Sequence, residues 1–311
     1  MAEDVHSVSP STGMETYTTV TTEDGTRLFL RTMPRRVSTT SEARAPFRAI
    51  FNDGLLCDGF IWKYLWNDVA ELCDVAHWHY RGHGRSGAST DPDRVDIETH
   101  ARDLLAVRRH LGDEPCILIG HSMGTQVLLE AHRLHPQNVR GLVLLCGSFG
   151  KLTQTFRGLP ILDALLPKLT AIAESSPALV RAFWSRLSPE MALRMALLTR
   201  DVDPDNIRKE DFLPYIRHVR DVDFPFFLRM LRAAGDYSAE EHLPNIDVPV
   251  LIIAAERDTF TPPRLSRFMA ERIPNAELVM VPNGSHAVPI EQPDFVGARV
   301  REFITRVYDR K

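Results

Sequence analysis

The stretch Ile117-Leu118-Ile119-Gly120-His121-Ser122-Met123-Gly124-Thr125-Gln126-Val127-Leu128 constrains this chain more than any other. An apolar run ends in Gly-x-Ser-x-Gly and a helical pattern follows, an order that reads as strand, sharp turn, helix. Such a turn needs small residues on both sides of the serine, because a Cβ there would collide with the neighbouring strand or helix. Gly120 and Gly124 meet that need. The Ser122 hydroxyl is then expected in the open at the top of a sheet, with a helix N-terminus behind it.

The rest of the chain reads as the sheet around that turn. Residues 1–14 are rich in Ser, Thr and Glu and read as a flexible tail. Tyr17 to Thr22 is largely β-branched, Asp24-Gly25 is a turn signal, and Thr26 to Arg31 alternates, so two antiparallel strands open the fold. Phe47-Arg48-Ala49-Ile50-Phe51-Asn52 is a third strand ending at Asp53-Gly54. A short helix closes over 69–74, a strand covers 75–79, and Arg81-Gly82-His83-Gly84-Arg85-Ser86-Gly87 is a glycine-dense turn. Helices are expected over 97–111 and 123–134, with strands over 116–119 and 139–146. The alternation then stops, and only helical patterns broken by prolines occupy 149–237. It resumes with a strand over 248–255, a helix over 263–273, a strand over 277–281 and a helix over 294–308. Continuous apolar runs alternating with helices imply an α/β fold with a parallel sheet covered on both faces. The division expected is a tail over 1–14, a core over 15–148 and 238–311, and an inserted helical cap over 149–237.

Composition narrows the class. The chain has 311 residues, 44% of them hydrophobic, which is ample for a sizeable core. Its net charge is −4 and no long basic block occurs, so no nucleic-acid partner is expected. The acidic, polar start Met1-Ala2-Glu3-Asp4-Val5-His6 does not read as a secretory signal. No apolar stretch reaches the ~18 residues of a membrane span. Cys57, Cys73, Cys116 and Cys146 lack a paired spacing and read as reduced core residues of a cytoplasmic protein, with neither disulfides nor metal expected.

A serine hydroxyl is a weak nucleophile and needs a base, which in turn needs an orienting partner. Asp258 follows the apolar run Ile252-Ile253-Ala254-Ala255, and His286 follows Val279-Met280-Val281 in a loop with Gly284. Residues at the carboxyl ends of neighbouring parallel strands converge on one edge of the sheet. The order Ser, Asp, His is the one expected with this turn. Ser122 would attack, His286 would take and return the proton, and Asp258 would orient the imidazole. The plain alternative makes Asp258 a cap for the helix near Thr261 and His286 a surface residue. Glu256 and Asp53 compete for the acid role, while Asp221 and Asp223 are less well placed. Backbone N–H groups of Met123 and Leu55 are the candidate oxyanion donors; Leu55 could instead simply pack.

On these residues the chain resembles the α/β-hydrolase superfamily, over about residues 25 to 308 apart from the insertion. The matching segments are Asp53-Gly54 with Trp62, Arg81 to Ser86, Gly120-His121-Ser122-Met123-Gly124, and Pro249 to Asp258 followed by His286. The resemblance implies a mostly parallel eight-stranded sheet flanked by helices, with an inserted cap. The first loop is laid out like that of haloalkane dehalogenases and epoxide hydrolases, with Asp53 in place of their His. Ser122 stands where those enzymes carry an aspartate nucleophile, and Met123 where dehalogenases carry a halide-binding Trp. Acyl chemistry is therefore implied, without a cofactor, on a small or medium apolar ester or other acyl substrate. Lactone, thioester, amide or diketone hydrolysis and perhydrolysis use the same groups, and a non-catalytic binding protein is the alternative of another class. A monomer or homodimer is expected.

The remaining motifs have plainer readings. Arg81 to Ser86 is expected to shape a turn below the site. His77 and His79 have the two-residue spacing of a metal pair but no evident third ligand, so core or surface histidines are expected. His121 should pack beside the turn. Apolar residues at 159–167, 180–184 and 224–230 either line an acyl pocket or pack the cap. Arg157, Lys168 and Arg181 would permit docking on lipid.

Overall fold

The computed structural model describes residues 14–36, 47–155, 161–176 and 188–309. Most of the expected tail, the apolar run at 180–184, Arg157 and Arg181 lie outside them.

Eight strands form one sheet: β1 (Thr16–Thr21), β2 (Arg27–Met33), β3 (Arg48–Asn52), β4 (Asp74–Trp78), β5 (Cys116–His121), β6 (Val139–Leu145), β7 (Val250–Ala255) and β8 (Ala276–Val281). Their spatial order is β1-β2-β4-β3-β5-β6-β7-β8. β1 and β2 are antiparallel, as is β2 against β4, and every later pair is parallel. The helices are α1 (Leu65–Ala70), α2 (Ile97–His110), α3 (Met123–Leu134), α4 (Leu152–Thr155), α5 (Ile161–Ser175), α6 (Pro189–Leu198), α7 (Lys209–Asp221), α8 (Phe224–Asp236), α9 (Pro263–Arg272), α10 (Val288–Glu291) and α11 (Pro293–Asp309).

The apolar alternation of the strands separates two cores. Ile50, Leu118, Leu144 and Ile252 point to the face covered by α2, α3 and α9, through Leu104, Val127 and Leu265. Phe51, Ile119, Val143 and Ile253 point to the face covered by α1 and α11, through Trp66, Val69, Val300 and Phe303. Both faces of β5 are therefore dry, which is why its residues are all buried and the run is apolar up to Gly120 and His121.

All elements described between β6 and β7 are helical, apart from one bridge between Gly150 and Ser238. Ser188 and Asp223 cap α6 and α8 by accepting from Met191 N–H and Phe226 N–H. The apolar run on α8 packs: Leu228 lies with Leu166 and Ala173, and Met230 joins the main core. Phe226 sits against His83 with ring centroids 5.5 Å apart. Among the described residues no helix is long and apolar enough to cross a membrane.

The parallel register brings four strand ends to one edge. Asn52 pairs with Gly120, His121 with Leu145, Leu145 with Ile253, and Ala255 with Val281. Loops leaving β3, β5, β7 and β8 therefore start at one height.

Candidate active site

Ser122 sits between β5 and α3 with φ 55° and ψ −118°. A positive φ is costly for a residue with a Cβ, and tight packing on both sides holds it. A Cβ on Gly120 would stand 2.8 Å from the Gly124 backbone, and one on Gly124 2.5 Å from the Asn52 carbonyl oxygen. The strand, the turn and the helix meet at backbone contact, so the serine side chain has only the open edge to occupy. Ser122 is half-buried there.

His286 reaches it from the loop after β8. Its Nε2 lies 2.9 Å from Ser122 Oγ, and its Nδ1 lies 2.8 Å from Asp258 Oδ2. An ionised carboxylate only accepts, so Nδ1 carries the proton and Nε2 offers its lone pair to the serine hydroxyl. Asp258 is 4% exposed and held by its own turn. Its Oδ1 accepts from the Phe260 and Thr261 N–H groups at 2.9 Å each. The Thr261 hydroxyl lies 2.8 Å from Asp258 Oδ2 and 2.7 Å from the Cys146 carbonyl oxygen and can donate to either. Asp258 thus accepts from its own turn and from His286, while the N-cap of α9 is Pro262. Thr261 was not legible as part of the site; the spacing Asp-x-x-Thr is the only hint of it.

The competing carboxylates lie elsewhere. Glu256 is exposed and accepts from the Asn283 N–H at 2.9 Å. Asp223 caps α8. Asp53 is buried beneath the first loop, where Oδ1 accepts from Trp62 Nε1 at 2.7 Å and Oδ2 from His77 Nε2 at 2.9 Å.

That last contact corrects the expectation that His77 and His79 lack a third partner. Strand β4 lies beside β3, so Asp53, His77 and His79 form one buried cluster with potential ligand atoms within 4.8 Å of one another. The hydrogen bonds argue against a metal in it. Arg31 Nε donates to His77 Nδ1 at 3.1 Å, and the Arg85 N–H donates to His79 Nδ1 at 2.8 Å. His77 must then carry its proton on Nε2, pointed at Asp53, where a metal would need a lone pair. Burial holds His77 well below its ordinary range and His79 down to about 3, and raises Asp53 to about 6.

The loop after β3 closes onto the serine. A Cβ on Gly54 would stand 3.1 Å from Ser122 Cβ and 3.1 Å from His121 Nδ1. Leu55 follows on this loop, and Met123 is the first residue of α3. Neither amide has a backbone partner among the described residues. Leu56 has φ 57°, and its N–H donates to His83 Nε2 at 3.3 Å. His83 can accept because its Nδ1 faces the Arg81 carbonyl oxygen at 3.0 Å. The Arg81–Ser86 motif therefore supports the loop from below. Arg81 itself is buried in a two-pronged pair with Asp103, at 2.8 and 2.6 Å.

His121 packs against His286 with ring centroids 4.8 Å apart, and its Nε2–H donates to the His286 carbonyl oxygen at 2.9 Å. Burial, with the neighbouring His286 second, holds it down to about 3, so it stays neutral. On the other side of His286 lies Phe260, with centroids 4.9 Å apart. A further buried carboxylate, Glu291, grips the preceding residue: its Oε2 accepts from the Ser285 N–H at 3.0 Å. Sequence reasoning did not find it, because nothing local marks a glutamate five positions after the histidine.

Comparison with known proteins bears on the fold and the family. The family model for the alpha/beta hydrolase fold matches residues 54–293. The chain is 29% identical over 236 residues to a protein provisionally named the carbamate hydrolase RutD, from Pseudomonas savastanoi pv. phaseolicola, over 74% of this chain and 84% of that one. It is 30% identical over 216 residues to the pimeloyl-acyl-carrier-protein methyl ester esterase of Neisseria meningitidis serogroup A, over 69% of this chain and 64% of that one. The solved enol-lactonase from Burkholderia xenovorans LB400 superposes with a TM-score of 0.68 at 22% identity, over 93% of this chain and 100% of that one.

Proposed function

The chain belongs to the α/β hydrolase fold family, and on that footing we propose that this hydrolase is a serine carboxylesterase acting on small to medium apolar esters through an acyl-enzyme. The observation that carries the reading is His286 bridging Ser122 and Asp258 at 2.9 and 2.8 Å. Ser122 Oγ attacks the ester carbonyl carbon while His286 Nε2 takes the hydroxyl proton. Asp258 stabilises the imidazolium that forms. The carbonyl oxygen becomes an oxyanion and receives the Leu55 and Met123 N–H groups. Collapse expels the alcohol oxygen, which takes the proton from His286, and the acyl group stays on Ser122. Water then attacks that acyl carbon, giving up a proton to His286. Return of the proton to Ser122 Oγ releases the acid.

The family relatives support ester over carbon–carbon cleavage, since one is named as a methyl ester esterase. Four buried cysteines, all unpaired, support a cytoplasmic setting. No cofactor is required by these steps. The helices between β6 and β7 act as a cap over the site.

The test is labelling by a fluorophosphonate probe, with Ser122→Ala as control, followed by p-nitrophenyl esters of rising chain length. Labelling of the wild type alone, with turnover that falls beyond a given acyl length, is the expected result. A folded wild type that takes no label would overturn the reading in favour of a binding protein.

A further inference from the structure

One turn of the helical insertion touches both loops that carry the acid and the base. It comprises Asp201, Val202 and Asp203, just beyond α6. Val202 is buried in the same apolar cluster as Val281, Ala287 and Val288, which flank the His286 loop. On one side, Asp201 Oδ1 accepts the Thr259 hydroxyl at 3.0 Å, and Thr259 is the residue after Asp258. Asp201 Oδ2 is tied back to the end of α6 by the Thr199 hydroxyl at 2.6 Å. On the other side, the Asp203 N–H donates to Glu291 Oε1 at 2.7 Å. Glu291 also accepts from the Ser285 N–H and from the Ser285 hydroxyl, and Ser285 is the residue before His286. Val202 is thus flanked by a link to each loop.

The chemistry of Glu291 makes this link demanding. Three donors converge on its two oxygens, so only a carboxylate serves them all. A glutamine would turn its own N–H groups against Ser285 N–H or against the Asp203 N–H. Loops leaving β7 and β8 are also joined directly, by the Arg257 N–H donating to the Gly284 carbonyl oxygen at 2.9 Å and the Asn283 N–H donating to Glu256 at 2.9 Å. The 201–203 turn adds a brace on the side of Thr259 and Ser285.

Building on the triad reading above, we propose that the 201–203 turn is a strut that sets the spacing of Asp258 and His286, with Thr259 and Glu291 as positioning residues. Seating of the helical insertion on the core then assembles the proton-transfer pair, so turnover depends on residues that touch neither substrate nor Ser122. A misplacement of about 1 Å at a reacting pair costs up to roughly a hundredfold in rate.

Thr259→Val, Thr259→Ser and Glu291→Gln in the full-length chain test this by ester kinetics and by hydrogen exchange. Thr259→Val is expected to lower kcat by roughly tenfold or more with KM within about twofold. Thr259→Ser keeps the hydroxyl and should restore kcat. In Thr259→Val, faster amide exchange should appear at residues 284–287, across the strut, as well as at 258–261. Unchanged kcat in Thr259→Val, or faster exchange confined to 258–261, would overturn the strut. If Glu291→Gln does not fold, the two Thr259 variants decide alone. A wild type that takes no fluorophosphonate label would remove the hydrolase reading, and the exchange pattern would still decide the strut.

Discussion

Gly124 lies so close to Asn52 that a Cβ on it would stand 2.5 Å from the Asn52 carbonyl oxygen. Helix α3 and strand β3 therefore touch backbone to backbone beside Ser122. The Asn52 oxygen belongs to the main chain and cannot rotate away. Gly124→Ala should destabilise the fold by roughly 1–3 kcal/mol, the usual cost of overpacking. Turnover should fall further than folding does, because the displaced helix carries Met123 and the displaced loop carries Leu55. Urea melts and kcat on one p-nitrophenyl ester check this; a variant with wild-type stability and rate would refute the contact.

Ser122→Ala and His286→Ala should each reduce turnover by about 10⁴ or more while leaving the melting transition close to that of the wild type. The double variant should be no worse than either alone, because the groups act as a unit. Strict additivity in rate would mean that Ser122 and His286 serve separate steps.

Asp258→Asn should fold and lose about 10⁴ in kcat, since an amide can hold the imidazole in the wrong tautomer. Glu256→Gln, on the exposed side of the same turn, should change kcat little. The reverse pattern would assign the acid to Glu256.

Acid lability follows from the buried histidines. Burial holds His79 and His121 down to about 3 and His83 to about 4, and keeps His77 and His100 well below their ordinary range. Each takes up a proton only on unfolding, so each removes stability as the pH falls below 6.5. Asp53 and Asp103, raised by burial to about 6, act with the opposite sign between about 6 and 3.8. His132, held down to about 4, and His242 add to the histidine side, while Asp58, Asp68 and Glu291, raised by burial, add to the other. The lowered histidines outnumber the raised carboxylates, so unfolding near pH 5 takes up protons on balance. Stability there should fall as the pH falls. Urea melts between pH 4.5 and 6.5 measure the slope, and a flat or rising profile as the pH falls would contradict it.

Several parts of this arrangement were legible because they are local. The Gly120 and Gly124 pair is demanded by a turn of a few residues, and the apolar runs of β5 and β7 by burial on both faces. Asp258 and His286 could be found because each follows such a run within a few residues. Thr261 and Glu291 could not, since their value depends on which atoms they meet. The Asp53–His77–His79 cluster is not legible as one feature, because the crossover that sets β4 beside β3 leaves no trace in the spacing of Asp53 and His77.

The sequence by itself determined the strained turn at Ser122, the two-faced parallel sheet, and the strand ends after which Ser122, Asp258 and His286 stand. Those features follow from backbone sterics and hydrophobic periodicity, which act over a few residues. Only the tertiary structure decided that Asp258 and not Glu256 meets His286. It likewise decided that Asp53 turns inward to His77, and that Asp201 and Asp203 reach from the insertion to the loops of Asp258 and His286. Each of those outcomes rests on hydrogen bonds between segments far apart in the chain, whose geometry exists only once the strands have stacked in register.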